Sequence, residues 1–146
     1  MSSPVEGIPL YISGYRFNTP RPYGPHEGLD LRAMNRLWEP VNILSVADGD
    51  VVYAGNMRQS NLYEPSDYGN YVIVEHDNGL ISWSCHLEYM TVQAGDRVLQ
   101  GQMLGLAGST GKSDGVHLHL NIQNPGAGLA GYIIDDALDP APLLGL

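Results

Sequence analysis

The apolar residues of this chain fall in short runs that alternate with polar positions, and turn-forming residues separate the runs. The segment VNILSVADGDVVYAG has two such runs around Asp48-Gly49, and GNYVIVEHDNGLISWSCHL has two around Asn78-Gly79. Both segments are rich in Val and Ile, and Asn-Gly between β-branched stretches is a strong hairpin signal. The pattern predicts at least four strands between Val41 and Leu87.

The rest of the chain also favours extended structure over helix. Residues 1–24 are rich in loops, because prolines there remove backbone donors and bias their neighbours away from helix. The stretch LDLRAMN can form a strand or a single turn, glycines interrupt VQAGDRVLQGQMLGLAGSTG, and VHLHLNIQ is a further strand. We predict an all-β fold with very little helix, in a single domain over residues 1–146 whose core spans 25–143.

The length and the charge of the chain exclude some classes of function. A chain of 146 residues is about one domain and can bury roughly two thirds of its unfolded surface. It carries 7 Lys and Arg against 16 Asp and Glu, spread along the chain, and such a surface repels nucleic acid and anionic membranes. We therefore expect no nucleic-acid partner and no membrane insertion. Cys85 is the only cysteine, so no internal disulfide forms, and no signal peptide is visible.

Two histidines stand one residue apart in the predicted strand VHLHLNIQ. Successive side chains of a strand alternate between its faces, so His117 and His119 point the same way, with Cα atoms about 6.5 to 7 Å apart. Two imidazoles at this spacing can converge on one bound atom, or one can bind a metal while the other reaches what the metal holds. Leu118 and Leu120 then face a core. The alternative is a pair of histidines on a solvated strand face.

The segment PHEGLD offers a second pair of metal-binding side chains, His26 and Asp30. A fully extended strand would separate their Cα atoms by about 13 Å, too far to share a metal, so we predict a turn or bulge at Glu27-Gly28. These two residues and one of the two strand histidines make a two-His, one-carboxylate set, which suits zinc and leaves a position open for water.

Two further histidines are less informative. His86, in SWSCHL, is predicted near the end of a strand and is either a site residue or a hydrogen-bonded strand histidine. His76 precedes a hairpin turn, and we interpret it as structural.

Two apparent motifs lack the geometry that their functions require. GLAGSTGKS resembles a phosphate loop, but a required glycine is missing and a strand follows where a helix is needed, so Lys112 lies in a glycine-rich turn. Cys85 beside His86 suggests a thiol nucleophile with its base, but neighbouring strand residues face opposite sides. We expect Cys85 to be a small buried residue.

Taken together, the motifs resemble the lysostaphin-type or LytM-like zinc endopeptidases, which cut peptide cross-links in bacterial cell walls. The resemblance is carried by HEGLD, GNYVIVEHDNGLISWSCHL, VQAGDRVLQGQMLGLAGSTG and HLH, which occur in the family's order between about Tyr15 and Leu143. It implies two small antiparallel sheets that form an open groove, with zinc on the floor of the groove.

The resemblance also assigns roles to site residues. It implies that His26, Asp30 and His119 bind one zinc ion together with a water, and that His86 and His117 act on the water and on the developing oxyanion. No HExxH glutamate is present, so a histidine must be the base, and the sequence does not say which of the two it is.

The chain departs from the family pattern at two places. Family members commonly have Phe-Glu where this chain has Leu120-Asn121, and Tyr-Ala where it has Ser84-Cys85. None of these positions is a ligand or a catalytic histidine, but they affect the lining of the groove and the choice of substrate.

The expected function is a zinc-dependent endopeptidase that hydrolyses peptide cross-links of bacterial peptidoglycan. We expect a monomer that acts on the cell wall, either extracellular, periplasmic or delivered by a phage. One alternative is a catalytically silent relative that binds the wall or activates another hydrolase. Another is a phosphocarrier or a lipoyl or biotin carrier, which would leave His26 and Asp30 without a role.

Overall fold

The computed structural model describes residues 1–22, 24–58, 66–125 and 137–146. Short strands account for most of the regular structure, as the turn-rich sequence predicts. The elements are β1 (Leu29–Leu31), β2 (Asn42–Leu44), β3 (Gly49–Gly55), β4 (Asn70–His76), β5 (Ile81–Met90), β6 (Arg97–Val98), β7 (Met103–Ala107), β8 (Leu118–Gln123), β9 (Ala137–Leu138) and the helix α1 (Pro140–Leu143).

The strands form one open, branched sheet in which all pairings are antiparallel. The main path runs β1-β8-β5-β4-β3-β6, while β7 pairs with β5 and β2, and β9 pairs with β8. The prediction of an all-β fold with very little helix is confirmed. The resemblance implied two small sheets, but here they are joined, because β5 pairs with β8 along Ile81–Cys85 and with β7 along Leu87–Met90.

Two of the four predicted strands between Val41 and Leu87 pair as the turn signals indicate. β4 and β5 form a hairpin around Asn78-Gly79, and Gly79 has a φ of 88°, which a glycine adopts without strain. The two runs around Asp48-Gly49 become β2 and β3, which do not pair with each other. Instead β2 pairs with β7, and β3 pairs with β4 and β6.

The two faces of the sheet pack differently. On β4, Val72 and Val74 join an aliphatic core, while Tyr71 and Ile73 point to the other face. The aliphatic core also includes Leu29, Leu31, Ile43, Leu87, Leu118, Leu120 and Ile122. The other face carries a smaller aromatic cluster, which consists of Tyr71, Ile73, Ile81, Trp83 and Cys85, with Tyr68 packed against it.

Strand β5 changes face at His86. Ile81, Trp83 and Cys85 belong to the aromatic cluster, but Leu87, two residues further on, belongs to the aliphatic core. His86 has a φ of 65°, in the left-handed region that side chains other than glycine rarely adopt. The strand therefore bends at this residue, and the alternation of side chains is broken there.

The ends of the chain are attached to this sheet. Val5 and Ile12 form isolated bridges with Ile43 and Leu31, and Val5 lies in the aliphatic core. At the other end α1 starts at the cap residue Asp139, whose carboxylate accepts a hydrogen bond from Ala141 N at 3.0 Å. In the described part of the chain no helix has the length and apolar character needed to cross a bilayer.

Candidate metal centre

Three side chains from separate segments converge beside β8. Asp30 on β1 is the direct cross-strand partner of His119 on β8, and His26 lies on the loop that leads into β1. His119 Nδ1 is 2.9 Å from Asp30 Oδ1, and His26 Nε2 is 3.2 Å from the same oxygen and 3.1 Å from His119 Nδ1. The structure therefore brings together all three residues of the predicted ligand set.

Gly28 allows the loop of His26 to approach β8. The chain bends at this glycine, as the spacing of His26 and Asp30 predicts. A Cβ atom at residue 28 would lie 2.4 Å from the carbonyl oxygen of Leu120 and 2.1 Å from Asn121 Oδ1. Because the Leu120 carbonyl is part of the strand and cannot move aside freely, only glycine fits at this position.

Hydrogen bonds outside the centre fix the donor atoms inside it. The carbonyl of Arg16 can only accept, so His26 Nδ1 donates to it at 3.1 Å and the neutral ring keeps a lone pair on Nε2. Burial raises the pKa of Asp30, but hydrogen bonds with His119 and His26 outweigh this and hold the pKa well below its ordinary value. Burial lowers the pKa of His119. The centre thus combines the Asp30 carboxylate with the neutral imidazole of His119 and with His26, whose Nε2 faces them.

This donor set fits zinc. Bonds of about 2.0 Å in a tetrahedron place neighbouring ligand atoms about 3.3 Å apart, and the three separations here are 2.9, 3.1 and 3.2 Å. Two imidazole nitrogens and one carboxylate oxygen leave one tetrahedral position open, which is typical of catalytic zinc sites. Buried electron-pair donors this close together also favour a shared cation.

His86 and His117 lie beside the three-residue centre. Their ring centroids are 5.0 Å apart, and the His86 ring is 5.9 Å from that of His119. His86 Nδ1 donates to the Thr110 carbonyl at 2.7 Å, and His117 Nδ1 to the Gly115 carbonyl at 2.9 Å, so each neutral ring keeps a lone pair on Nε2. Burial lowers the pKa of His86 to about 4, which keeps this ring neutral at pH 7.

The bend at His86 brings this ring to the centre. Cys85 is the cross-strand partner of His119, so in a regular strand His86 would point to the opposite face. His86 N donates to the Tyr68 carbonyl at 2.8 Å, and the Leu87 carbonyl accepts from Asn70 Nδ2 at 3.0 Å and from Thr110 Oγ1 at 2.7 Å. These contacts stabilise a backbone conformation that is costly by itself.

The structure corrects the sequence-based interpretation of His86 and agrees with those of Cys85 and His76. His86 is not near the end of a strand but inside β5, and the alternation rule that separated it from Cys85 fails at the bend. Cys85 is fully buried, and burial raises the pKa of its thiol well above the ordinary value, so it is not poised as a nucleophile. His76 is hydrogen-bonded to Ser82 and to the Ala47 carbonyl, as expected of a structural histidine.

Sequence reasoning missed the residues that hold His86. Thr110 lies in the glycine-rich turn GSTG, which we had interpreted only as a turn, and Tyr68 precedes β4. Gly69 and Gly111 both have positive φ, and a Cβ on Gly111 would lie 2.3 Å from Gly69 N. The turn before β4 and the glycine-rich turn therefore touch at Gly69 and Gly111. These two glycines were the signal in the sequence that could have indicated this contact.

Two cavities meet at the centre. The larger, of about 570 Å³, is lined by all five site residues, by Tyr15 and by residues 112–116 of the loop before β8. The second, of about 470 Å³, is lined by Glu27 and Tyr68 among others. Both are lined by Arg21, His86, Lys112 and His119. A groove with space on both sides of the centre suits an extended chain that crosses it.

The chain is similar in sequence to a known family and to curated proteins. The sequence model described as peptidase family M23 matches residues 24–130. The chain is 35% identical over 98 residues to the peptidoglycan DD-endopeptidase ShyA of Vibrio cholerae, covering 67% of this chain and 20% of ShyA. It is 35% identical over 138 residues to the glycyl-glycine endopeptidase ALE-1 of Staphylococcus capitis, covering 92% of this chain and 34% of ALE-1.

The fold also matches a solved structure. The catalytic domain of the antimicrobial peptidase lysostaphin from Staphylococcus simulans superposes with a TM-score of 0.69 at 29% identity, over 91% of each chain. The chain spans about a third or less of the length of the two curated relatives.

Proposed function

The chain belongs to peptidase family M23, and we propose that it is a zinc-dependent endopeptidase that hydrolyses peptide cross-links of bacterial peptidoglycan. The observation that carries the proposal is the convergence of His26 Nε2, Asp30 Oδ1 and His119 Nδ1 beside two further histidines in a groove. The family is zinc-dependent, and the centre holds donors of the kind and spacing that one zinc ion requires.

The proposed roles follow from the donor atoms. His26, Asp30 and His119 would hold one zinc ion, which supplies a water of lowered pKa and polarises the carbonyl of the scissile peptide bond. His86 and His117 present their Nε2 atoms toward the same space, so one accepts a proton from the attacking water and the other hydrogen-bonds the developing oxyanion. The Thr110 and Gly115 carbonyls leave a lone pair on Nε2 of a neutral ring, which the base needs, while the ring that hydrogen-bonds the oxyanion would do so as an imidazolium with a proton on Nε2.

His86 is the better candidate for the base. Burial lowers the pKa of this ring to about 4, so the ring is neutral with its Nε2 lone pair available at neutral pH, its Nδ1 donates to the Thr110 carbonyl, and its backbone N–H donates to the Tyr68 carbonyl. The His117 side chain is more exposed, and its Nε2 lies 3.6 Å from Asp30 Oδ1. That ring is closer to the open side of the groove, where the substrate carbonyl would lie.

The proposed substrate is a short peptide bridge in an extended conformation. A groove beside strands favours main-chain hydrogen bonds over deep side-chain pockets. ALE-1 is named for glycyl-glycine bonds and ShyA for DD-peptide bonds, so either kind of bridge is consistent with the family. We propose that residues 25–143 form the catalytic core of a single monomeric domain that acts on the cell wall in the periplasm or the extracellular space.

Metal removal on purified cell walls tests the proposal. We expect the protein to bind one zinc per chain and to release free amines from walls, to lose this activity in a chelator, and to regain it with added zinc. Mass spectrometry of the released fragments would identify the bond. Wall binding without zinc-dependent release of amines would overturn the enzymatic proposal and favour a silent member that binds the wall or activates another hydrolase.

A further inference from the structure

Tyr68 connects three segments that carry the proposed site residues. It lies in a tight turn before β4, where its backbone N–H donates to Ser66 Oγ at 2.9 Å. Its side chain is half-buried between the loop of His26, strand β8 and the bend of β5. No sequence motif that we interpreted assigns a role to this tyrosine.

Each part of Tyr68 contacts a different segment. The phenol hydroxyl donates to Glu27 Oε2, and Glu27 is the residue after His26. The phenol ring stacks on the imidazole of His119, with 5.7 Å between centroids and 25° between planes. The backbone carbonyl accepts from His86 N at 2.8 Å. One residue thus contacts His119 and His86 themselves and the immediate neighbour of His26.

The stacking contact is important because His119 lacks an anchor on its outer nitrogen. A metal-binding histidine usually donates its second ring N–H to a partner that fixes the ring. His119 Nε2 is buried and has no hydrogen-bond partner in the described part of the chain. The orientation of this ring therefore depends on Asp30 and His26 at Nδ1 and on Tyr68 across its face.

The hydroxyl contact has a fixed direction, because the phenol O–H donates and the Glu27 carboxyl oxygen Oε2 accepts. Glu27 is exposed, and its loop also approaches β8 at Gly28 and through the contact of His26 with His119. The hydroxyl thus links the loop of His26 to the element that holds His119 and His86.

We infer that Tyr68 is a positioning residue, which holds the ligand-bearing loop of His26, the ring of His119 and the bend at His86 in one arrangement before the metal binds. The inference rests on the proposed function, because it concerns the same zinc centre. It adds a residue that touches neither the metal nor the reacting atoms and acts through the residues that do.

Zinc affinity measured by competition with a chelator tests this role without any turnover. Tyr68→Phe removes the hydroxyl and keeps the stacked ring, so we expect the dissociation constant of zinc to rise about tenfold. Tyr68→Leu removes both contacts, and we expect a rise of about 100-fold, the range seen for residues that support metal ligands. Glu27→Ala should match Tyr68→Phe, and the double variant should be no worse than either, because both remove one contact.

Tyr71→Phe is the matched control. Tyr71 belongs to the aromatic cluster, and its hydroxyl donates to the Met57 carbonyl at 2.7 Å, away from the proposed ligands. This variant also loses one tyrosine hydroxyl contact, but zinc affinity should stay at the wild-type value. A nitrogen NMR signal of the His119 ring that changes in metal-free Tyr68→Phe and not in Tyr71→Phe would support positioning directly.

The outcomes separate the two proposals. Tyr68→Phe with the zinc affinity of Tyr71→Phe would overturn the role of Tyr68 and leave the proposed function intact. A higher KM for substrate with unchanged zinc affinity would also overturn it, since that pattern marks a substrate contact. A wild-type protein that binds zinc, shows the Tyr68 effect and releases no amines from walls would overturn the proposed function alone.

Discussion

The two faces of strand β8 carry side chains of different chemistry, although these residues alternate along one strand. Leu118, Leu120 and Ile122 are fully buried in the aliphatic core, where packing alone satisfies them. On the other face His119 and Asn121 are also buried, yet they are polar. Both Asn121 amide atoms and His119 Nε2 are without hydrogen-bond partners among the described residues.

This contrast shows how the protein separates stability from chemistry. The aliphatic face has the alternating burial that stabilises a sheet, whereas the polar face buries groups that cost free energy unless a partner satisfies them. The buried donors of the polar face therefore need a bound partner, such as a metal ion, to offset this free-energy cost. Truncation on the aliphatic face should therefore reduce stability and leave metal binding intact, whereas substitution on the polar face should reduce metal binding or activity, or raise stability. Three predictions examine this difference.

The largest effect is expected from His119 on the polar face and from the two histidines beside it, His86 and His117. His119→Ala should lose zinc and all zinc-dependent activity, because it removes a ligand. His117→Ala and His86→Ala should keep zinc and lose about two to four orders of magnitude in rate, because they remove a proton acceptor or an oxyanion donor. Metal content and wall hydrolysis on the same samples check this. Stoichiometric zinc in His119→Ala would show that the ligand assignment is wrong.

On the aliphatic face, Leu120→Ala should reduce stability and leave metal binding intact. Leu120 is fully buried beside Leu29, and truncation of a buried leucine costs about 2 to 5 kcal/mol. Urea unfolding measures the loss, and the folded fraction should still bind one zinc. Leu99→Ala, at an exposed leucine, is the control and should change stability by less than about 0.5 kcal/mol. Equal losses at the two leucines would contradict the contrast between core and surface.

The smallest effect concerns the buried amide of the polar face. Asn121→Leu removes two polar atoms that lack partners, so we expect the free energy of unfolding of the zinc-free protein to rise by about 1 kcal/mol. Asn70→Leu is the control, because the Asn70 amide donates to the carbonyls of Leu87 and Glu88 and its loss should destabilise the fold. If Asn121→Leu also destabilises the protein, the Asn121 amide is satisfied in solution.

Much of the fold could be predicted from local patterns. The hairpin at Asn78-Gly79, the strand containing His119, the bend at Gly28 and the near absence of helix all follow from short-range signals. Pairing over longer distances could not be predicted in this way, because the partner of a strand depends on what else packs against it. The runs around Asp48-Gly49 illustrate this, since β2 pairs with β7 and not with its neighbour β3.

Only part of the candidate site could be predicted from the spacing of its residues. Spacing placed His117 and His119 on one face and required a bend between His26 and Asp30, and the family resemblance then chose His119 as the ligand. Alternation also predicted that His86 and Cys85 face opposite sides, and this rule would have pointed His86 away from the centre. The contacts that reverse it come from Tyr68 in the turn before β4, from Asn70 at the start of β4 and from Thr110 in the glycine-rich turn.

By itself the sequence determined the chemistry that is available: which donors exist, which face of β8 carries them, and which glycines let loops bend. These properties are local, because the two-residue period of a strand and the conformational freedom of glycine act over a few residues. Only the tertiary structure placed the His86 ring beside the three-residue centre and the Tyr68 ring against that of His119. A left-handed histidine inside a strand is unfavourable alone, and contacts from distant segments are what make it stable.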